Sequence, residues 1–176
     1  MSTVSGSSLA QHLTGLEIEG LFKKTEELYT QDVLDRDEII RLTKLHTTDD
    51  ALVEHEMKSN KGPRIITKTL TRDEVIADME NKKDKTYDTS LRRTITDISY
   101  SDDKVSATVE YTALYIATVE LSEEERSLPE YLGQTVLPFK SLSACSENFK
   151  LVDDVLKSTL LECKTEILYG KARAIK

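Results

Sequence analysis

Tryptophan is absent from this chain of 176 residues, and phenylalanine occurs only three times. The aromatic surface comes mainly from seven tyrosines. Each tyrosine joins an apolar body to a polar tip, a combination suited to a partly wet cavity. No run of eighteen apolar residues exists, so no segment reads as a helical membrane span. The start, MSTVSGSSLAQ, has neither the basic nor the apolar region of a signal peptide. It fits a cytosolic start and equally a chain that begins after a removed leader. Positive charge is in deficit: 24 Lys and Arg stand against 32 Asp and Glu, a net charge of −8. Such a chain repels phosphate backbones, which argues against nucleic-acid partners. Cysteine is limited to Cys145 and Cys163, with no CxxC pair and no nearby His cluster, which argues against a zinc site. No metal and no cofactor is expected.

What is present is a globular composition. Apolar residues make up 38% of the chain, with Leu, Ile and Val plentiful, and the length suits one domain with one sizeable core. Residues 1–8 read as a flexible tail, residues 9–170 as the domain and residues 171–176 as a frayed end.

Leu13, Leu16, Leu21, Phe22, Leu28 and Tyr29 fall near helical spacing and predict a first helix, best defined from Leu16 to Thr30. Two later stretches, LDRDEI (Leu34–Ile39) and LTRDEV (Leu70–Val75), share one helix-start grammar. Asp35 and Thr71 are N-cap candidates, with Glu38 and Glu74 three residues on, as in a capping box. Asp and Glu in the first turn also suit the helix dipole. The stretches therefore predict the starts of a second and a third helix, not a repeat, since no third copy follows. Arg36 and Arg72 at the first helical position read as exposed. Ala51–Met57 reads as a continuation of helix ended by SNKGP, and RIITKTL (Arg64–Leu70) as a short strand.

After residue 85 the pattern changes to alternation rich in Thr, Val, Ile and Tyr. Thr86–Tyr100 and Lys104–Glu120 form one predicted hairpin about Ser101-Asp102-Asp103. Residues 121–135 read as an acidic loop with one helical turn after Pro129. Val136–Val152 and Val155–Tyr169 form a second hairpin about Asp153-Asp154. The order is α-α-β-α-β-β-β-β, an α+β fold with helices on one face of an antiparallel sheet.

The stretches RIITKTLTRDEVIADMENK, YDTSLRRTITDISYSDDKVSATVEYTALYIATVEL and FKSLSACSENFKLVDDVLKSTLLECKTEILYG carry this order. In organisation the chain resembles the nuclear-transport-factor-2-like (NTF2-like, SnoaL-like, cystatin-like) superfamily. Its members include polyketide cyclases, ketosteroid isomerases and scytalone dehydratase. The resemblance covers most of residues 9–170. It implies three N-terminal helices packed in the concave face of a strongly curved sheet, a cone that often encloses a pocket and often dimerises through its outer sheet face. The aspartate base and oxyanion donors of the isomerases find no matching motif here, nor do the His and Asp of the dehydratases. No catalytic residue is named.

Face matching places candidates in the pocket. In the first hairpin, a three-residue loop would set Ile95 opposite Val109 and Arg93 opposite Tyr111, and a two-residue turn would set Val109 against Thr96. The first is preferred. Arg93 then points inward among Tyr87, Tyr111 and Tyr115, with Tyr29 from the first helix. An inward arginine needs a partner. The choices are an anionic or carbonyl ligand held in a pocket, or an internal ion pair with a helix carboxylate such as Glu26, Asp78 or Glu80; the expected ligand is small and either apolar or anionic. Tyr111 and Tyr115, at i, i+4 on one strand face, read as core sooner than as site. His46 and His55 read as surface or helix-end residues or as acid–base groups. Cys145 faces Cys163 directly if the second loop has three residues. A two-residue turn leaves them one position apart unless a bulge repairs it. A disulfide is therefore a candidate, and it would imply an oxidising compartment; the alternative is two buried thiols. The reading leans to an exported protein. Function is read as a cone with a small-molecule pocket, or alternatively as an association module that forms a homodimer through the outer sheet face around Leu114 and Ile116.

Overall fold

The computed structural model describes residues 12–82 and 85–174. The expected tail at residues 1–8 lies outside them. Helix α1 (Gly15–Leu28) begins at a capping box in which the Thr14 N–H donates to Glu17 Oε2 at 2.8 Å, and it buries Ile18 and Phe22. Helix α2 (Arg36–His46) starts where the grammar places it, but only half of its box forms. Asp35 accepts from the Glu38 N–H at 3.1 Å, while the Glu38 carboxylate pairs with Arg41 at 2.5 Å. Helix α3 (Arg72–Asn81) has the complete box between Thr71 and Glu74.

The element between α2 and α3 differs from the sequence reading. Thr47 ends α2 in extended backbone and opens strand β1 (Thr47–Ser59), which pairs with β2 (Gly62–Thr71) as a hairpin. Ala51–Met57 is therefore strand, not helix. The physical reason is tertiary. Ala51, Val53, His55 and Met57 alternate with exposed partners, and β1 lies parallel to the last strand across nine paired positions. Local helix formers yield to that ladder.

The first long hairpin joins β3 (Thr86–Tyr100) to β4 (Ser106–Glu120). A short α4 (Glu123–Arg126) and a 3₁₀ turn (Pro129–Tyr131) occupy the acidic loop. The second hairpin, β5 (Val136–Val152) and β6 (Val155–Tyr169), has the expected bounds. One six-stranded sheet results, in the order β2-β1-β6-β5-β4-β3, antiparallel except for the β1–β6 pair. Its inner face holds Val109, Tyr111, Cys145 and Phe149 against Ile18 and Phe22 of α1. Phe149, Ile18, Leu121, Val109 and Val136 are the largest fully buried side chains.

Neither register weighed for the first hairpin is the observed one. Ile98 lies opposite Val109, Ile95 opposite Tyr111 and Arg93 opposite Ala113, with a bulge between Ile95 and Asp97. The turn is wider than three residues: the Ser101 N–H donates to the Ser106 carbonyl, and Lys104 sits at φ 55°. The bulge restores parity, so Arg93 still points inward. In the second hairpin, Asp153 (φ 51°) and Asp154 (φ 60°) form a two-residue turn between paired Val152 and Val155. Two positive φ values match the twist of the flanking strands. A register shift at Asn148/Phe149 then moves Cys145 opposite Cys163, and the two form a disulfide with Cα atoms 4.2 Å apart. Past β6, Arg173 bridges back to Val136.

Candidate functional site

Helices α1, α2 and α3 do not fill the mouth of the sheet. They leave a cavity of about 210 Å³. Its wall is mostly apolar, with Leu21 and Phe22 from α1, Ile39 and Leu42 from α2, Val75 and Met79 from α3, and Val53, Phe149 and Leu161 from the sheet. Polar groups interrupt this wall, among them Glu147, Arg93, His46, Arg72 and Ser158.

Glu147 is the centre of the polar part. It alternates with Cys145 and Phe149 on the inward face of β5, so strand geometry aims it at the helices. The Tyr111 hydroxyl donates to Glu147 Oε2 at 3.0 Å, and Ser158 donates a second hydrogen bond. Burial nevertheless raises the Glu147 carboxyl above the usual carboxylate range, outweighing the downward pulls of Ser158, Arg93 and Tyr111. Removing a charge from water costs more than two hydroxyl donors return. In its neutral form Glu147 accepts from both hydroxyls and keeps its own O–H to donate.

Arg93 stacks over Phe22, its guanidinium carbon 4.7 Å from the ring centroid, with Tyr111 at 5.7 Å. The internal ion pair considered for it does not form. Glu26 accepts from the Arg93 backbone N–H, Glu80 pairs with Lys44, and no carboxylate lies within 4 Å of the Arg93 guanidinium among the described residues. On the α2 wall, His46 Nδ1 lies 2.9 Å from the Leu156 carbonyl. A carbonyl oxygen only accepts, so Nδ1 carries the hydrogen and Nε2 of the neutral ring is the free acceptor. Arg72 is not the exposed residue the sequence suggested. Its side chain is 17% exposed, forms part of the cavity wall, and pairs with Asp49 and Asp73. Arg36 donates to the Lys82 carbonyl.

The structure brings together some of the expected pocket residues and separates others. Tyr29 and Arg93 line the cavity. Tyr111 stands behind Phe22, ring centroids 4.8 Å apart, and reaches the cavity through Glu147. Tyr115 backs Tyr29 edge-on at 6.0 Å, and its hydroxyl is pushed up to about 12, first by burial and then by Tyr29. Tyr87 is elsewhere, paired with Thr118 beside a bulge and bridged to Val33. Glu147 was missed in the sequence, although strand parity from Cys145 to Phe149 put it on the buried face. His55 lies at the sheet, its Nε2 2.6 Å from Thr165 Oγ1, and burial lowers its pKa. Among the described residues no cluster of His, Cys, Asp and Glu could hold a metal ion, and no helix is long and apolar enough to cross a membrane.

No family model matches the sequence, and no curated protein matches it. Solved structures do. A candidate scytalone dehydratase from Novosphingobium aromaticivorans DSM 12444 aligns with a TM-score of 0.52 over 91% of this chain and 91% of its own, at 15% identity. A conserved protein from Planctomyces limnophilus DSM 3776 aligns at 0.51 over 88% of this chain and 94% of its own, at 13% identity. An NTF2-like protein of unknown function from Silicibacter pomeroyi DSS-3 aligns at 0.43 over 85% and 93%, at 9% identity. At these identities the first two likenesses describe architecture alone: the chain has the NTF2-like α+β fold.

Proposed function

We propose that this NTF2-like cone holds a small, largely apolar molecule bearing one oxygen function, a carbonyl or a carboxylate. The observation that carries this reading is the Glu147 carboxyl: it lines a mostly apolar cavity, accepts from Tyr111 and Ser158, and is pushed up by burial, which favours its neutral, donating form. Arg93 adds a guanidinium with no carboxylate within 4 Å among the described residues, which favours an oxygen-rich end of the ligand. The cavity is smaller than the ~300–1,000 Å³ of drug-sized sites, so the occupant is of about one-ring size. His46 Nε2 supplies an acceptor on the same cavity wall, and an acid with a base is the minimum for proton transfer. The Cys145–Cys163 bond supports an oxidising compartment.

The test is a panel of small cyclic ketones and aromatic carboxylic acids, read by thermal shift against native chain, Glu147→Gln and Glu147→Ala. Gln keeps a donor and should retain binding, whereas Ala should weaken it by roughly tenfold. Unchanged binding by the Ala variant would sink the role of Glu147. The pH dependence has a definite sign. A carboxyl raised in the folded state stabilises the fold below its unfolded value of about 4.3 and loses that contribution as pH rises through the folded value. Glu147→Gln should therefore gain Tm over the native chain as pH increases from about 4 towards 8, and a flat difference would contradict a neutral Glu147.

A second reading, a homodimer through the outer sheet face, is favoured by charge self-complementarity. Asp97, Glu110, Ser146, Glu162 and Glu54 form one row across that face, and Arg92, Leu114, Leu142, Glu166 and Lys58 form another. A two-fold axis along the row between them would set Asp97 and Glu54 of each copy against Arg92 and Lys58 of its mate, outnumbering the one like-charge pair, Glu162 against Glu166, over exposed Leu142 and Ile116. Light scattering at micromolar concentration should give twice the monomer mass, and Leu114→Asp should return it to monomer. A monomeric native chain would remove this reading.

A further inference from the structure

The two edges of the sheet are treated differently. The β3 edge is covered along its first residues by the chain itself: Gln31 and Asp32 exchange backbone hydrogen bonds with Asp88 and Thr89, the Leu34 N–H donates to the Thr86 carbonyl, and Val33 bridges Tyr87. The β2 edge has no such cover. Among the described residues β2 pairs with β1 alone, no further backbone hydrogen bond reaches it, and Gly62–Thr69 is exposed throughout. It exposes adjacent large apolar side chains, Ile65 at 62% and Ile66 at 50%. An edge of this kind is a template for another strand.

Charge identifies the strand that fits. From Lys58 to Arg72 the segment carries five basic residues, Lys58, Lys61, Arg64, Lys68 and Arg72, and no acidic one, in a chain of net charge −8. Strand parity puts Arg64, Ile66 and Lys68 on one face of β2. In an added strand, residues directly opposite interact, and opposite charges are favoured while like charges repel. A second copy of β2 would bring a basic segment against a basic segment. We propose that β2 accepts an extended acidic segment of a partner protein as a seventh strand, with the pattern acidic-x-apolar-x-acidic set opposite Arg64, Ile66 and Lys68. Backbone hydrogen bonds along the open edge supply the attachment, and the two cations and the isoleucine between them select the sequence. Lysine and arginine on an edge also discourage self-pairing, so the same residues reject a second copy while admitting an acidic strand.

The test uses the full chain and a capped peptide, Thr-Glu-Thr-Val-Thr-Glu-Thr, with a control in which both Glu are Lys. Binding is followed by calorimetry and by amide chemical shifts of β2. The acidic peptide should bind roughly tenfold or more tightly than the basic control, and its affinity should fall with added salt. The doubly substituted variant Arg64→Glu/Lys68→Glu, altered only at exposed positions, should reverse the preference while its Tm stays near that of the native chain. Equal binding of the two peptides, shifts confined to residues outside β2, or no acidic binding at millimolar peptide would overturn the proposal. Self-association abolished by Ile65→Lys, without acidic-peptide binding, would instead assign the edge to a second copy and equally overturn it.

Discussion

Replacing Phe149 with alanine should lower the free energy of unfolding by roughly 3–5 kcal/mol, the range for a large aromatic removed from a closed core. Phe149 is 2% exposed and has no polar atom to rescue it. Its ring lies 6.1 Å from that of Phe22, and Phe22 in turn meets Tyr111 edge-on. With Ile18, these rings hold α1 against the sheet. Phe149 also sits where the β5–β6 register shifts, so neighbouring strands are poorly placed to collapse into the space left behind. Phe149→Leu retains most of the volume and should cost only about 1–2 kcal/mol. Urea unfolding measures both. A loss under about 1 kcal/mol for the alanine variant would mean that α1 is not anchored this way. The cavity would also enlarge, since Phe149 forms part of its wall, and the ligand panel should shift towards larger compounds for the variants that still fold.

The anchoring explains why one end of the cone is open to chemistry. α1 crosses the inner face on Ile18 and Phe22, and α2 and α3 lie beyond it, so the space among the three helices and the sheet is bounded but not filled. Glu147 points into that space because strand alternation gives it no other direction between Cys145 and Phe149. Burial favours the neutral form of that carboxyl, because Arg93, whose guanidinium lies over the Phe22 ring, offsets only part of the cost of ionising it.

What the sequence made legible was local or strictly periodic. The N-caps Asp35 and Thr71 mark helix starts because a side chain and an amide three residues on are enough to define them. The β5–β6 bounds follow from two strand-rich runs about the Asp153-Asp154 turn signal, and the alternatives for Cys145 and Cys163 included the turn and bulge that occur. Strand β1 was hidden because Ala51, Leu52, Glu54, Glu56 and Met57 favour helix when read alone, and the ladder that overrides them comes from β6, more than a hundred residues away. The β3–β4 register was hidden for a different reason. A bulge at Ile95/Asp97 and a turn widened around Lys104 each move the pairing, and no residue type announces either. Of the pocket candidates, Arg93 and Tyr29 line the cavity, and strand parity is what placed Arg93 inward in the sequence. Glu147 was available by the same parity argument, but a single acid among Ser, Asn and Lys on a strand does not stand out until its neighbours are known to be buried. Arg72 became part of the wall only because α3 turns it towards Asp49.

Removing the disulfide should cost about 3 kcal/mol, the loop-closure value for a bridge spanning 18 residues. For a chain of this length that corresponds to a fall in Tm of roughly 6–12 °C. Cys145→Ala/Cys163→Ala and the reduced native chain should agree in direction, because both release the same constraint on the unfolded ensemble. The bridge ties β5 to β6 two residues before Glu147 on one strand and two residues after Leu161 on the other, and both of those side chains face the cavity. Its loss should therefore reach the site as well as the fold. Amide exchange should quicken first along residues 143–149 and 161–165, and ligands that depend on the Glu147 donor should weaken more than the loss of global stability alone requires. A Tm unchanged by reductant, with free thiols verified by alkylation, would show that the strand ladder alone holds this wall and that the cystine adds no constraint to it.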